Sequence, residues 1–190
     1  MKIGLYFGSF NPIHNGHLIV ANYILNETDL EKVWLVVSPQ NPLKNENTLL
    51  NEYHRLHLAT LATEHDTRIK PTDIEFALPK PSYTIDTLIY LKEKYPQHEF
   101  RIIMGADSFQ NLSRWKNYQT LIGEYEILVY PRMGYGSENL LGAKATFIDA
   151  PLLQLSSTYI RACIANGKSI RYMLPEAVIE EIERGGYYKK

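Results

Sequence analysis

The 190-residue sequence predicts an α/β protein, an open parallel sheet with helices on both faces. Three observations carry that prediction. Short, continuous apolar runs at residues 2–7, 33–38 and 100–104 suit strands buried on both sides. Between the first two, Leu18, Val20, Ala21, Ile24 and Leu25 recur at helical spacing, so residues 2–38 read as one parallel strand–helix–strand crossover. Each run is followed by glycine, proline or small polar residues, which turn the chain beyond the C-terminal strand ends. In such a sheet, ligands sit at that edge.

Composition narrows the function before any motif is read. Apolar and charged fractions of 45% and 22% are those of an ordinary globular chain, long enough for one well-filled domain over residues 1–190. Within it, residues 157–190 are expected to form a C-terminal helical portion. The net charge of −1, with Lys189-Lys190 as the one basic run, argues against nucleic acid as a partner. Any anion pocket must therefore be local. Cys163 is the single cysteine, which excludes an intrachain disulfide and a multi-cysteine metal site and suits a reducing, cytoplasmic setting. No apolar run reaches membrane length, and the N-terminal run is too short and glycine-interrupted for a signal peptide. Whether the chain forms a homo-oligomer is left open.

Taken in order, the first element is the strand at 2–7. Gly8 follows, free to turn tightly and to let a ligand approach the backbone. Pro12 and Asn15-Gly16 punctuate a loop, and a helix is expected from His17 to Asn26 or Glu27. His14 and His17 stand three residues apart at its mouth. The first N–H groups of a helix lack partners and carry partial positive charge, so an anion placed there meets ready donors. Two imidazoles add to them, or they are loop histidines at a cap and nothing more. The pattern is neither a P-loop nor a G-x-G-x-x-G turn.

The second strand, 33–38, runs into Pro39-Gln40-Asn41-Pro42-Leu43-Lys44, where two prolines stiffen the presentation of Lys44. Lys44 is either a phosphate contact or an exposed surface lysine. A helix follows from Leu50 to Glu64, with Leu56, Ala59, Leu61 and Ala62 inward; its His54 and His57 lack a third ligand and read as solvated. A third strand is expected within 67–76. Pro79 and Pro81 then halt the chain, and Ser82 or Thr84 can cap a helix that runs to Tyr95.

The fourth strand, 100–104, ends in Gly105-Ala106-Asp107, where Asp107 can cap a helix or accept hydrogen bonds from ribose hydroxyls. Trp115 is a core residue or an exposed stacking surface. A short helix at 117–123, a fifth strand at 125–130, a loop or short helix at 134–142 and a last strand at 145–149 complete the sheet. Arg132, just past the fifth strand, is a further candidate for a phosphate or adenine contact. Hydroxyls at Ser156, Ser157 and Thr158 suit the start of a helix that reaches about Ala165. Pro175 and Gly185-Gly186 bracket a terminal amphipathic helix with Val178, Ile179 and Ile182 inward.

Six stretches carry a family resemblance, among them Pro42-Leu43-Lys44, Gly105-Ala106-Asp107 and Trp115. Gly8-Ser9-Phe10-Asn11-Pro12-Ile13-His14-Asn15-Gly16-His17 resembles the G-x-F-x-P-x-H-x-G-H element of the H-x-G-H nucleotidyltransferase superfamily. Ser82 to Thr87 resembles the S-Y-T-x-D-T segment of nicotinate-nucleotide adenylyltransferases. Leu155 to Arg161 is similar to the I-S-S-T-x-I-R element of the adenylyl-transferring branch, with leucine at its first position. The resemblance implies a Rossmann-like fold and transfer of an adenylyl group from ATP to nicotinate mononucleotide, giving deamido-NAD and pyrophosphate by direct in-line attack. It implies His14, His17, Lys44 and Arg161 at the transferring phosphates. Gly8, Ser9, Phe10, Gly105, Asp107, Arg132, Ser156, Ser157 and Thr158 would surround ATP, and Thr84 and Trp115 the nicotinate. Mg2+ would arrive with ATP, with no dedicated protein site. Phosphopantetheine adenylyltransferases share the logic but carry threonine where His14 stands. Nicotinamide mononucleotide as acceptor, cytidylyl transfer, and a non-catalytic nucleotide sensor on the same fold are the other readings.

Overall fold

A computed structural model describes residues 1–40, 49–139 and 141–189. Six parallel strands, β1 (Lys2–Gly8), β2 (Lys32–Val37), β3 (Ile69–Thr72), β4 (Glu99–Gly105), β5 (Ile127–Tyr130) and β6 (Ala145–Phe147), form one sheet in the order β3-β2-β1-β4-β5-β6. Seven helices lie among the described residues: α1 (Asn15–Glu27), α2 (Glu52–Thr63), α3 (Thr84–Lys94), α4 (Ala106–Gln110), α5 (Tyr118–Glu124), α6 (Ser157–Ala165) and α7 (Glu176–Gly185).

The strands are apolar throughout because both faces are covered. Side chains alternate across a strand, so Tyr6, Val33, Leu35, Val37, Ile103, Leu128 and Tyr130 point to one core, shared with α1, α2, α6 and α7. Ile3, Leu5, Val36, Ile102, Met104, Ile127 and Val129 point to the other, covered by α3, α4 and α5. Each fully buried Leu or Ile contributes about 1.5–3 kcal/mol relative to exposure. Ile160, Cys163, Val178 and Ile182 belong to the first core, so the C-terminal helices share their interior with the sheet. Among the described residues no helix is long and apolar enough to cross a membrane.

Several element boundaries differ from expectation. β3 stops at Thr72, and Ile74–Ala77 forms a 3-10 turn instead of continuing the strand. β3 is an edge strand, which is why it tolerates Pro71. Neither Ser82 nor Thr84 caps α3: Tyr83 occupies the cap, and the Ser82 hydroxyl donates to buried Glu75 instead, at 2.6 Å. Nor does Asp107 cap α4, since Gly105 does. In α2, Leu58 and Ala59 are fully buried, whereas Leu56, Leu61 and Ala62 pack only at the margin. His54 and His57 are exposed and face α7 and the residues after it: Tyr187 Oη lies 2.9 Å from His54 Nδ1, and Glu181 lies 3.9 Å from His57. The 134–142 stretch is loop where described.

Candidate functional site

The strand order reverses direction between β1 and β4: the chain moves outward one way through β2 and β3, the other way through β5 and β6. That reversal leaves a crevice beyond the C-terminal ends of β1 and β4. A cavity of about 650 Å3 opens there. It is lined by Gly8, Ser9, Phe10, His14 and His17 from β1 and the loop into α1. Gly105, Asp107 and Arg132 contribute from the ends of β4 and β5. Ser156, Ser157, Thr158 and Arg161 come from α6 and its cap, and Thr84 and Trp115 from the opposite wall. All of the sequence-derived candidates among the described residues therefore meet in one place. Lys44 lies outside the described residues.

The β1–α1 loop is built around Phe10. Its ring lies where a Cβ on Gly8 would fall, 2.9 Å from that position, so glycine is required there. Phe10 adopts a φ of 43°, a left-handed conformation that costs about 1 kcal/mol or more in a non-glycine residue. The ring packs edge-on against Tyr6 and His17, with centroids 5.8 and 5.1 Å away. The Phe10 side chain is thus a buried plug, and its backbone is what remains for a ligand.

His14 caps α1 and stacks on His17 with ring centroids 3.7 Å apart. The His14 backbone N–H donates to His17 Nδ1 at 3.2 Å, which places the proton of the neutral His17 ring on Nε2. His14 is buried, and its Nδ1 has no hydrogen-bond partner. Desolvation, reinforced by the Arg132 charge, pushes the His14 imidazole down to about 4, so it is neutral at neutral pH.

α6 is tied directly to this loop. Ser157 Oγ donates to the Pro12 carbonyl at 2.8 Å, and Arg161 Nη1 to the Asn11 carbonyl at 2.7 Å. Ser156 caps the helix, accepting from the Tyr159 N–H at 3.2 Å. Arg132 Nε lies 3.6 Å from Asp107 Oδ1, and the guanidinium sits 5.2 Å from the Tyr130 ring centroid. A Cβ on Gly105 would fall 3.0 Å from Arg132 Cγ and overlap the Asp107 carboxylate, so this pair needs glycine beside it. Trp115 is half-buried against the α3–α5 core and also lines the cavity.

Sequence reasoning missed three participants. Glu75, 2% exposed, lines the cavity and accepts from Ser82 Oγ and from Thr87 Oγ1 at 2.8 Å; burial raises its carboxyl pKa. Nothing local in the sequence joins those residues. Tyr188 Oη donates to Asn11 Oδ1 at 2.8 Å, bringing the segment after α7 onto the loop. Arg55 is fully buried behind the cavity wall. Its signal was present: it lies three and four residues before Leu58 and Ala59, on the same helix face.

Residues 5–163 match the model of the cytidylyltransferase-like family. A protein of Flavobacterium johnsoniae named "Probable nicotinate-nucleotide adenylyltransferase" is 51% identical, with all of both chains covered. One of the same name from Cytophaga hutchinsonii is 48% identical over 99% of this chain and 98% of its own. Among solved structures, Plasmodium falciparum nicotinic acid mononucleotide adenylyltransferase complexed with NaAD is similar in fold, with a TM-score of 0.85 at 23% identity, covering 98% of this chain and 97% of that one. With a family model matching most of the chain and relatives this similar over its full length, the chain belongs to the cytidylyltransferase-like family, among its nicotinate-nucleotide adenylyltransferases.

Proposed function

We propose that this protein joins nicotinate mononucleotide to the adenylyl group of ATP, forming deamido-NAD and releasing pyrophosphate in NAD biosynthesis. The observation that carries the reading is one cavity in which histidine, arginine and hydroxyl groups gather on one side and Thr84 and Trp115 on the other. The nucleophile is the 5′-phosphate of the mononucleotide, already ionised at neutral pH, so no serine, cysteine or dedicated base is required. Its oxygen bonds to the α-phosphorus of ATP as the bond from that phosphorus to the bridging oxygen breaks, and pyrophosphate leaves. The protein's work is alignment and charge stabilisation.

His17, protonated on Nε2, donates to the transferring phosphate, and neutral His14 stacks behind it and fixes its tilt. Arg161 and the hydroxyls of Ser156 to Thr158 face the phosphates, with the loop amides from Gly8 to Phe10 and with Lys44. Asp107 reaches a ribose, and Arg132 neutralises charge beside it. Thr84, in the first turn of α3, meets the nicotinate carboxylate where the helix dipole favours negative charge, and Trp115 stacks on the ring. The donor set at the phosphate end is imidazole, guanidinium and hydroxyl, which suits Mg2+ carried by ATP oxygens and water. A cytoplasmic location belongs to the same reading, in keeping with the free, buried Cys163.

Pyrophosphate release measured with ATP and nicotinate mononucleotide tests this, with nicotinamide mononucleotide, phosphopantetheine, and CTP in place of ATP as parallel arms. Release is expected with the first pair and at least about tenfold more slowly with the others; a protein silent with the first pair refutes the proposal. His17→Ala is expected to cut turnover about 100-fold or more, the usual effect of removing one oxyanion donor.

A further inference from the structure

The Arg55 side chain has no exposure to solvent. Among the described residues its guanidinium donates four hydrogen bonds, all to backbone carbonyls: Nε to Leu50 at 2.7 Å, Nη1 to Ser9 at 2.6 Å and to Ser38 at 2.8 Å, and Nη2 to Pro39 at 3.0 Å. Those carbonyls belong to three separate segments: the β1–α1 loop, the exit of β2, and the approach to α2. Among the described residues no carboxylate lies within ion-pair distance of it; Glu52, one turn away, pairs with Lys80 at 2.6 Å. A buried cation is costly unless its donors are satisfied, and here neutral carbonyls take four of the five N–H donors.

We propose that Arg55 is a positioning residue for ATP: its buried guanidinium fixes the Ser9 and Ser38 walls of the cavity in register from behind. Ser9 and Ser38 both line the cavity, whereas Arg55 does not reach it. The Ser38 N–H also donates to the Gly8 carbonyl at 2.9 Å, so the two walls are joined once by backbone and once through the guanidinium. A planar fork can hold carbonyls from three directions; an ammonium on a flexible stem reaches fewer of them. The polyanionic nucleotide is the ligand that gains from walls held in register beside a buried cation. The inference rests on the adenylyl-transfer reading, because it names ATP as the anion served.

The test compares Arg55→Lys, which keeps the charge, with Arg55→Met, which removes it. In a folded Arg55→Lys protein the KM for ATP is expected to rise at least tenfold while the KM for nicotinate mononucleotide stays within twofold. Arg55→Met is expected to lose more. An ATP KM within twofold of the unaltered protein overturns the inference, and so does an equal rise in both KM values, which would mark general loosening. Should neither variant fold, hydrogen exchange on the unaltered, ATP-free protein decides. Segments 8–11 and 38–40 should exchange nearly as slowly as β1, and exchange at the rate of an unprotected peptide refutes the role. An unaltered protein that releases no pyrophosphate would refute the adenylyl-transfer reading instead, and the exchange measurement would still report on the staple.

Discussion

His14 shows how a residue chosen for chemistry bears on stability. Its ring is buried beside His17 and Arg132, and its affinity for a proton falls from the ordinary value of 6.5 to about 4. In the unfolded chain it protonates first as pH drops, so the proton favours unfolding. Stability from this group is complete above pH 6.5 and is lost on acidification toward 4, by about 1 kcal/mol per pH unit. Glu75 acts in the opposite direction, since burial raises its pKa and acid relieves the cost of its charge. Thermal midpoints between pH 4 and 7 should therefore fall less steeply with acid in His14→Gln than in the unaltered protein. Parallel curves would mean that His14 titrates normally. His14 was legible from its motif, but its neutral state was not, because it depends first on tertiary burial and then on the charge of Arg132, which is 118 positions away along the chain. Arg55 and Glu75 were passed over for a related reason. Charged side chains are mostly exposed, and only distant carbonyls and hydroxyls make these two tolerable inside.

Strands and helices follow closely from apolar period, and their ends do not. β1, β2 and β4 were readable because both faces are covered, which writes an unbroken apolar run into each. The end of β3 was not, because the buried Glu75 pulls the chain into a 3-10 turn to reach Ser82 and Thr87. Gly105 is the junction where element geometry meets the site: it ends β4, caps α4 and leaves room for Arg132 and Asp107. Gly105→Ala should displace that pair, raising the ATP KM about tenfold and destabilising the fold by about 1–3 kcal/mol. Gly123→Ala is the matched control. Its Cβ would meet nothing within 4 Å, and it lies in α5, so alanine should stabilise by up to about 1 kcal/mol without changing kinetics. Denaturant titration and steady-state rates on both variants check the pair; equal effects at the two positions would contradict it.

At the scale of the molecule, the sheet is a wall between two cores, and α6 and α7 close one of them. Probes in the sheet and in the C-terminal helices should accordingly report a single unfolding transition. A non-transferable ATP analogue at about 100 times its Kd should stabilise that whole transition by about 2.7 kcal/mol. Two separable melts would show that residues 157–190 fold apart from the rest. Parallel strands also give the protein a direction. Met1 leads into the start of β1, at the edge opposite the crevice, whereas Tyr188 holds Asn11 beside it. A surface tether or affinity handle joined ahead of Met1 would leave the cavity mouth facing the solution. The same handle joined after Lys190 would begin three positions from the Tyr188 side chain that grips the nucleotide loop, and would tug on it.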